Sequence, residues 1–189
     1  GPVEELPWMR GQMRLTFARV GVIDPLSITE YQAQGGLAGL RRAIAVGPEA
    51  TVAEVTSSGL RGRGGAGFPT GIKWKTVAGA KAAQKYIICN ADEGDSGSFA
   101  DRMLMEGDPL VLIEGMAIAA LAVGASRGYV YIRSEYPDAI HQMEAAIAVA
   151  RQAGVLGASV LGSAHAYDME VRVGAGAYVC GEETSLLNS

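Results

Sequence analysis

The stretch Gly59-Leu60-Arg61-Gly62-Arg63-Gly64-Gly65-Ala66-Gly67-Phe68-Pro69-Thr70-Gly71 constrains this chain more than any other. Six of its thirteen residues are glycine, with Arg61 and Arg63 inside the run and Lys73 just past it. Glycine at this density opens backbone conformations of positive φ and lets the chain pass close to another surface. Consecutive free N–H groups in such a loop form a concavity for anions, and three fixed cations stand beside it. The pattern reads as a loop that wraps a phosphorylated cofactor. The bland reading is a flexible surface linker, but linkers rarely interleave Arg, Phe, Lys and Trp this closely.

Gly62-x-Gly64-x-x-Gly67 matches the letters of the dinucleotide-binding fingerprint. That fingerprint needs a strand before it and a helix after it. Residues 50–58 read as helical and Phe68-Pro69-Thr70-Gly71 as a turn, so the ordinary Rossmann assignment fails on context. No Gly-Lys-Ser/Thr closes the run, which removes the P-loop.

At 189 residues, with 49% of them hydrophobic, the chain can bury the core of one domain or slightly more. A net charge of −4 argues against nucleic acid as the main partner. Cys89 and Cys180 lack the spacing of a metal site, and both end apolar runs that read as strands. Reduced, buried thiols in a cytoplasmic protein are the expectation. The polar N-terminus, with Pro2 and Pro7, carries no secretory signal. The most apolar run, residues 110–125, is interrupted by Glu114 and is too short for a bilayer. It reads as a buried helix of a soluble protein, with no membrane insertion.

Residues 1–28 read as an extended lead-in and residues 29–189 as one α/β domain. Ser27 or Thr29 caps a short helix, and Leu37, Leu40 and Ile44 share a helical face that stops at Gly47-Pro48. Residues 51–58 form a second helix into the glycine loop, and residues 74–83 a helix or turn after it. Tyr86-Ile87-Ile88-Cys89 reads as a buried strand. Asp108 as N-cap and Pro109 at the first helical position open the long apolar helix. Residues 128–133 form the next strand. Pro137 opens a helix with Ile140, Met143, Ile147 and Ala150 on one face, ending at Gly154. Residues 168–173 alternate as a strand, Gly174-Ala175-Gly176 turns, and Gly181-Glu182-Glu183-Thr184 opens a last helix. His141 and His165 read as surface residues. Strands alternating with helices argue for a largely parallel sheet.

Ligands in such folds bind beyond the carboxyl ends of the strands. Two apolar runs lead there into acidic clusters: Cys89 into Asn90-Ala91-Asp92-Glu93, and Cys180 into Gly181-Glu182-Glu183. Such groups can bind a divalent cation, act as acid and base, or accept hydrogen bonds from sugar hydroxyls. An EF-hand is excluded, because a strand precedes the first cluster and Asp95 stands where that loop needs glycine. Hydroxyl binding fits best beside a phosphate loop. Stabilisation of a helix N-terminus by Glu182 and Glu183 is the simpler alternative. Phe68 and Trp74 are either core aromatics or rings that stack on a cofactor.

The string GLRGRGGAGFPTGIK, with Asn90-Ala91-Asp92-Glu93 and Gly181-Glu182-Glu183-Thr184, resembles the flavoprotein subunit that binds NADH and FMN. That family serves respiratory complex I, NAD-reducing hydrogenases and NAD-dependent formate dehydrogenases. The likeness extends over most of residues 21–189. Asn90 to Gly97 resembles the soluble hydrogenase and formate dehydrogenase branches, and the lead-in Gly21-Val22-Ile23-Asp24-Pro25-Leu26-Ser27 is most similar to the formate dehydrogenase β subunit.

The resemblance implies a Rossmann-like FMN-binding domain with an atypical glycine-rich loop. Gly62, Arg63, Gly64, Gly65 and Lys73 would hold FMN from one side. Asn90, Asp92 and Glu93 would meet its ribityl chain and ring edge, and Tyr178, Gly181 and Glu182 would close the other side. Phe68, Asp95 and Glu183 would take NAD. Thr76 stands where some relatives use an aromatic against adenine, and Asp95 where the respiratory branch has glutamate. The reaction implied is hydride transfer between NAD(H) and FMN, coupled to iron–sulfur clusters, with no side chain as acid or base. The resemblance also implies a [4Fe–4S] cluster in the complete subunit. The two cysteines here cannot ligate one, since four are needed. The implied partners are iron–sulfur subunits, among them a small [2Fe–2S] subunit and a catalytic formate dehydrogenase subunit of the molybdenum or tungsten type. The rival of another class is a flavin-free assembly module with the same fold.

Overall fold

The computed structural model describes residues 5–95 and 97–189. Three strands, β1 (Tyr86–Ala91), β2 (Arg127–Arg133) and β3 (Asp168–Gly174), form a parallel sheet in that order. Cys89 pairs with Val130, and Val130 with Val171. Both crossovers are helical, as parallel neighbours require. Helices α5 (Ala100–Gly107) and α6 (Pro109–Val123) join β1 to β2, and α7 (Pro137–Gln152) joins β2 to β3. Four helices precede the sheet: α1 (Ile28–Ala33), α2 (Ala38–Val46), α3 (Pro48–Ser57) and α4 (Thr70–Gly79). A short α8 (Glu183–Asn188) follows it.

Helix α6 is the central element. Its residues are apolar almost all round, which suits a helix packed on every side. It contacts α2, α3, α4, α5 and α7 as well as β1 and β2, with Ile113, Ala117 and Ala120 fully buried. On α7 the anticipated Met143, Ile147 and Ala150 face the core, joined by Ala139 and Ala146. Residues before α1 take part too: Ile23 is buried, and the Arg19 Nε donates to Asp108 Oδ2 at 2.8 Å.

That ion pair changes one expectation. Asp108 stands at the N-cap of α6, yet its side chain makes no cap hydrogen bond. A charge-assisted bond to a guanidinium is stronger than a bond to a neutral amide, and Arg19 takes the carboxylate. Helix α2 stops at Gly47-Pro48 as expected, with Gly47 as its C-cap, but Pro48 is also the first residue of α3, which starts earlier than residue 51. A proline there gives up an N–H that would have no helical acceptor anyway. By the same logic residues 68–71 are not a separate turn, because Pro69 is the N-cap of α4.

Strand β1 is half-covered rather than buried, with Tyr86 and Ile88 at 50% and 42% exposure. The helical layer of α6 and α7 lies on the other face of the sheet. On the open face, Leu186 of α8 packs with Tyr131 and Cys180. Cys180 does not end a strand. Gly176, at φ 90°, breaks the extended path of β3, and Tyr178–Gly181 is a single 3-10 turn. A four-residue apolar run carries too little periodicity to separate the two outcomes. His165 is half-buried and stacks on Tyr167 at 6.4 Å, so burial lowers its pKa; His141 is exposed as expected. Both thiols are free, Cys180 buried and Cys89 half-buried. Among the described residues no helix is long and apolar enough to cross a membrane.

Candidate functional site

The glycine loop is closed at its neck by backbone bonds. Gly62 N–H donates to the Phe68 carbonyl and Thr70 N–H to the Leu60 carbonyl, each at 2.9 Å. The Arg61 Nε donates to the Gly67 carbonyl at 2.6 Å, so Arg61 is used to shape the loop. The tip is open: a Cβ added at Gly64 or Gly65 would meet no atom within 4 Å. Arg63 is exposed and has no hydrogen-bond or ion-pair partner among the described residues. Lys73, in the first turn of α4, holds its Nζ 6.0 Å from the centre of the half-exposed Phe68 ring.

The second group of residues gathers at the carboxyl end of β1. Asn90 Nδ2 donates to the Gly181 carbonyl at 2.8 Å, which ties that strand end to the 3-10 turn. The Asn90 Oδ1 accepts from Asp92 N–H at 3.3 Å. Asp92 is buried, at 4% exposure, and its carboxylate accepts no hydrogen bond among the described residues. Burial pushes its pKa up, and Arg133 opposes that shift. A Cβ at Gly94 or at Gly181 would come within 3.3 Å of the Asp92 Oδ2. The two glycines therefore leave this carboxylate the space a ligand hydroxyl needs.

Other carboxylates of the cluster have protein partners. Glu93 sits at φ 43° and accepts from Asp101 N–H and Arg102 N–H at 3.2 and 2.8 Å, capping α5. The residue at the α5 N-cap is Phe99, which has no acceptor of its own. Glu182 caps α8 through Ser185 N–H at 3.1 Å, and such backbone bonds lower its pKa. Tyr178 donates to Asp95 Oδ1 at 3.3 Å and is otherwise exposed. Glu183 is exposed and unpaired among the described residues.

The structure thus brings Asn90, Asp92, Glu93, Asp95, Tyr178, Gly181 and Glu182 to one end of the sheet. Gly62, Arg63, Gly64, Gly65, Phe68 and Lys73 form a separate group on the loop and α4. Among the described residues no hydrogen bond or ion pair joins the two. A cavity of about 140 Å³ at the sheet end is lined by Asp92, Gly94 and Tyr178, together with Arg133, Glu135 and Gly176. The sequence reading did not single out those last three. A signal for Arg133 exists: β1 and β2 run in register to Ala91–Ile132, so the next residues, Asp92 and Arg133, emerge side by side. A larger groove of about 770 Å³ between α3, α4 and the end of α6 includes none of the expected site residues. Among the described residues no group of His, Cys, Asp and Glu is placed to hold a metal ion.

Residues 55–189 match the family of the Nuo51 FMN-binding domain. The chain belongs to this family. It is 53% identical over 94% of its length to the NADP-reducing hydrogenase subunit HndC of Solidesulfovibrio fructosivorans, covering 36% of that protein. It is 52% identical over 90% of its length to a subunit of an NADH-quinone oxidoreductase of Rhizobium meliloti, covering 41% of it. Among solved structures, an NAD+-reducing [NiFe]-hydrogenase in the H2-reduced state superposes over 94% of this chain with a TM-score of 0.73 at 35% identity, covering 28% of that chain. The chain therefore spans about two-fifths or less of the length of these relatives. The family's ligand fits the residues present. Among the described residues the Asp92 acceptor is unused and the loop offers bare backbone beside unpaired cations, while two glycines keep the surroundings of Asp92 clear.

Proposed function

We propose that this chain binds FMN and a nicotinamide dinucleotide, and forms the hydride-exchange site of a diaphorase subunit in a multisubunit oxidoreductase. The observation that carries the reading is the Asp92 carboxylate, which lines a cavity at the carboxyl end of a parallel sheet and has no hydrogen-bond donor among the described residues. A carboxylate largely withdrawn from water favours a hydrogen-bond donor, and a polyhydroxylated chain in the cavity supplies several. Asn90 and Gly181 hold the turn around it. Arg63, Lys73 and the free N–H groups of Gly64 and Gly65 receive the phosphate. Glu93 and Glu182 act here mainly by fixing the helices that wall the site, and Tyr178 closes it over Asp95. Phe68, Asp95 and Glu183 face the nucleotide. The chemistry that FMN supplies when bound is interconversion of two-electron hydride transfer and one-electron transfer.

The finer assignment is to a formate dehydrogenase, with iron–sulfur subunits and a molybdenum- or tungsten-type catalytic subunit as partners. It rests on the likeness of residues 21–27, since residues 90–97 resemble the soluble hydrogenase and formate dehydrogenase branches alike. The hydrogenase reading is supported by relatives of that name. Isolation of the native complex, followed by asking whether formate or hydrogen reduces NAD, separates them. The underlying function is tested on the full-length protein: a flavin absorption band that NADH bleaches without oxygen is the expected result. A colourless protein that takes up no FMN on reconstitution overturns it and favours the flavin-free module.

Relatives named for NADH and for NADP occur side by side, so the choice of nucleotide lies in a few contacts. Glu183 is our candidate for the adenosine ribose. A carboxylate there accepts from the ribose hydroxyls and repels a 2′-phosphate. Glu183→Gln should raise kcat/KM for NADPH relative to NADH by roughly tenfold, about 1.4 kcal/mol, with FMN content unchanged. Loss of FMN with an unaltered nucleotide preference would make Glu183 a flavin residue or a support of the α8 N-terminus, and not a nucleotide contact.

A further inference from the structure

We propose that Arg133 is a positioning residue of this site, holding the turn after β1 so that Asp92 presents an ionised acceptor to the flavin's hydroxyl groups. The inference rests on the FMN reading above and adds a residue to it. Arg133 closes β2, one step past the Ala91–Ile132 pair, and its guanidinium reaches across to the β1 turn. The Nη1 donates to the Glu93 carbonyl at 2.9 Å. The Nη2 pairs with Glu135 Oε1 at 3.0 Å, and the guanidinium lies 5.2 Å from the centre of the buried Tyr136 ring. A planar group held at three places is a rigid support, which a lysine could not reproduce.

The support is needed at that point. Glu93 has a positive φ, a strained conformation that persists only where the surrounding structure fixes it. A donor locked onto its carbonyl provides that fixing. The side chain of Glu93 is simultaneously committed to α5, so the turn is clamped at both ends and Asp92 beside it has little freedom. The Arg133 Nε is buried with no partner among the described residues, so their contacts do not use all of this cation. What remains for it is the field at the cavity it shares with Asp92.

The groups facing Asp92 can be named. Arg133 and Glu135 come from the end of β2 and its turn, Tyr131 from β2 itself, and Tyr178 from the 3-10 turn, with Cys180 packed behind Tyr131. The carboxylate of Glu93 points away onto α5, and Asp95 is engaged by Tyr178. Arg133 is thus the one cation among these groups. Burial raises the pKa of Asp92 and Arg133 lowers it. Removing Arg133 raises it further, so Asp92 takes up its proton at a higher pH and accepts more weakly from ligand hydroxyls there.

The test uses the full-length protein stripped of flavin and titrated with FMN, following flavin fluorescence from acid to neutral pH across the titration of a carboxylate whose pKa is raised. Arg133→Met should bind FMN roughly tenfold more weakly at neutral pH, with the affinity falling off at a higher pH than in the wild type. Arg133→Lys should restore the wild-type pH midpoint but not the full affinity. Asp92→Asn should flatten the profile, and adding Arg133→Met to it should cost little more, because coupled residues are non-additive. An unchanged profile in Arg133→Met, or an equal loss in the Asp92→Asn background, overturns the inference while leaving FMN binding intact. Wild-type protein that binds no FMN overturns the functional reading itself. If Arg133→Met proves too unstable to titrate, Arg133→Lys alone decides: a wild-type midpoint with reduced affinity supports the inference, and wild-type affinity overturns it.

Discussion

Replacing Glu114 by alanine should destabilise the protein by about 3–5 kcal/mol, the largest effect expected of any single substitution considered. Glu114 is a buried carboxylate in the middle of α6. It accepts from Leu37 N–H at 2.8 Å, from Leu40 N–H at 2.9 Å and from the Tyr31 hydroxyl. Leu37 is the N-cap residue of α2, in the left-handed region at φ 63°, and its aliphatic side chain cannot cap anything. The first amides of a helix lack intrahelical acceptors, and here a carboxylate from another helix supplies them. Tyr31 is itself buried, and both burial and Glu114 push its pKa well above the ordinary value. Alanine at position 114 leaves three buried donors without a partner, each worth about 1–3 kcal/mol before relaxation. In a chain of this size that should lower the melting temperature by roughly 10–15 °C. Glu114→Gln keeps one acceptor but turns an amide N–H₂ toward N–H donors, so a smaller loss in the same direction is expected. Thermal unfolding followed by circular dichroism measures both. A Glu114→Ala protein melting within about 2 °C of the wild type would mean that water replaces the carboxylate without penalty.

Glu114 also illustrates where reading the sequence stops. In the local pattern it is an interruption of an apolar run. Its partners lie 74 to 83 residues away along the chain, so no periodicity points to them. Elements whose signals are local are legible. The length and apolarity of α6, the one-sided pattern of α7 and the alternation in β3 depend only on neighbours within a few turns. Pro69 misleads because a proline can sit within a turn or stand just before a helix, and only the packing selects between them. The open face of β1 misleads because its side chains are apolar on both faces, while helices cover only one. At the site, the strand-end rule locates Asn90, Asp92 and Glu93, and the 3-10 turn brings Tyr178 and Gly181 to them. The rule applied to β2 adds Arg133, but an arginine after an apolar strand looks like an ordinary solvent-facing end. Capping by Glu93 and Glu182 is only half visible. Glu182 precedes its helix directly, whereas Glu93 reaches α5 across the intervening loop.

Replacing both Arg63 and Lys73 by alanine should weaken FMN binding by about 10²–10⁴-fold without a matching loss of stability. The two side chains are exposed, and neither has a hydrogen bond or ion pair within the chain among the described residues. The contact of Lys73 is the distant one to Phe68, 6.0 Å from its ring centre. Charges that the fold does not consume are available to a ligand and cost little to remove. Arg61 is different, since its Nε shapes the loop through the Gly67 carbonyl, and its replacement would confound binding with folding. Each charge-assisted contact to a phosphate is worth on the order of 1.5–3 kcal/mol, and two such losses add if the contacts are independent. The bare amides of Gly64 and Gly65 would remain, so binding should be reduced rather than abolished. Riboflavin isolates the phosphate from the rest of the ligand. The double variant should bind riboflavin about as well as the wild type does, while the preference for FMN over riboflavin shrinks by the full factor. An unchanged FMN-to-riboflavin ratio would place the phosphate elsewhere and leave the glycine loop without its assigned ligand. Loss of both ligands together would instead mean that the loop supports the ring system, with its cations secondary.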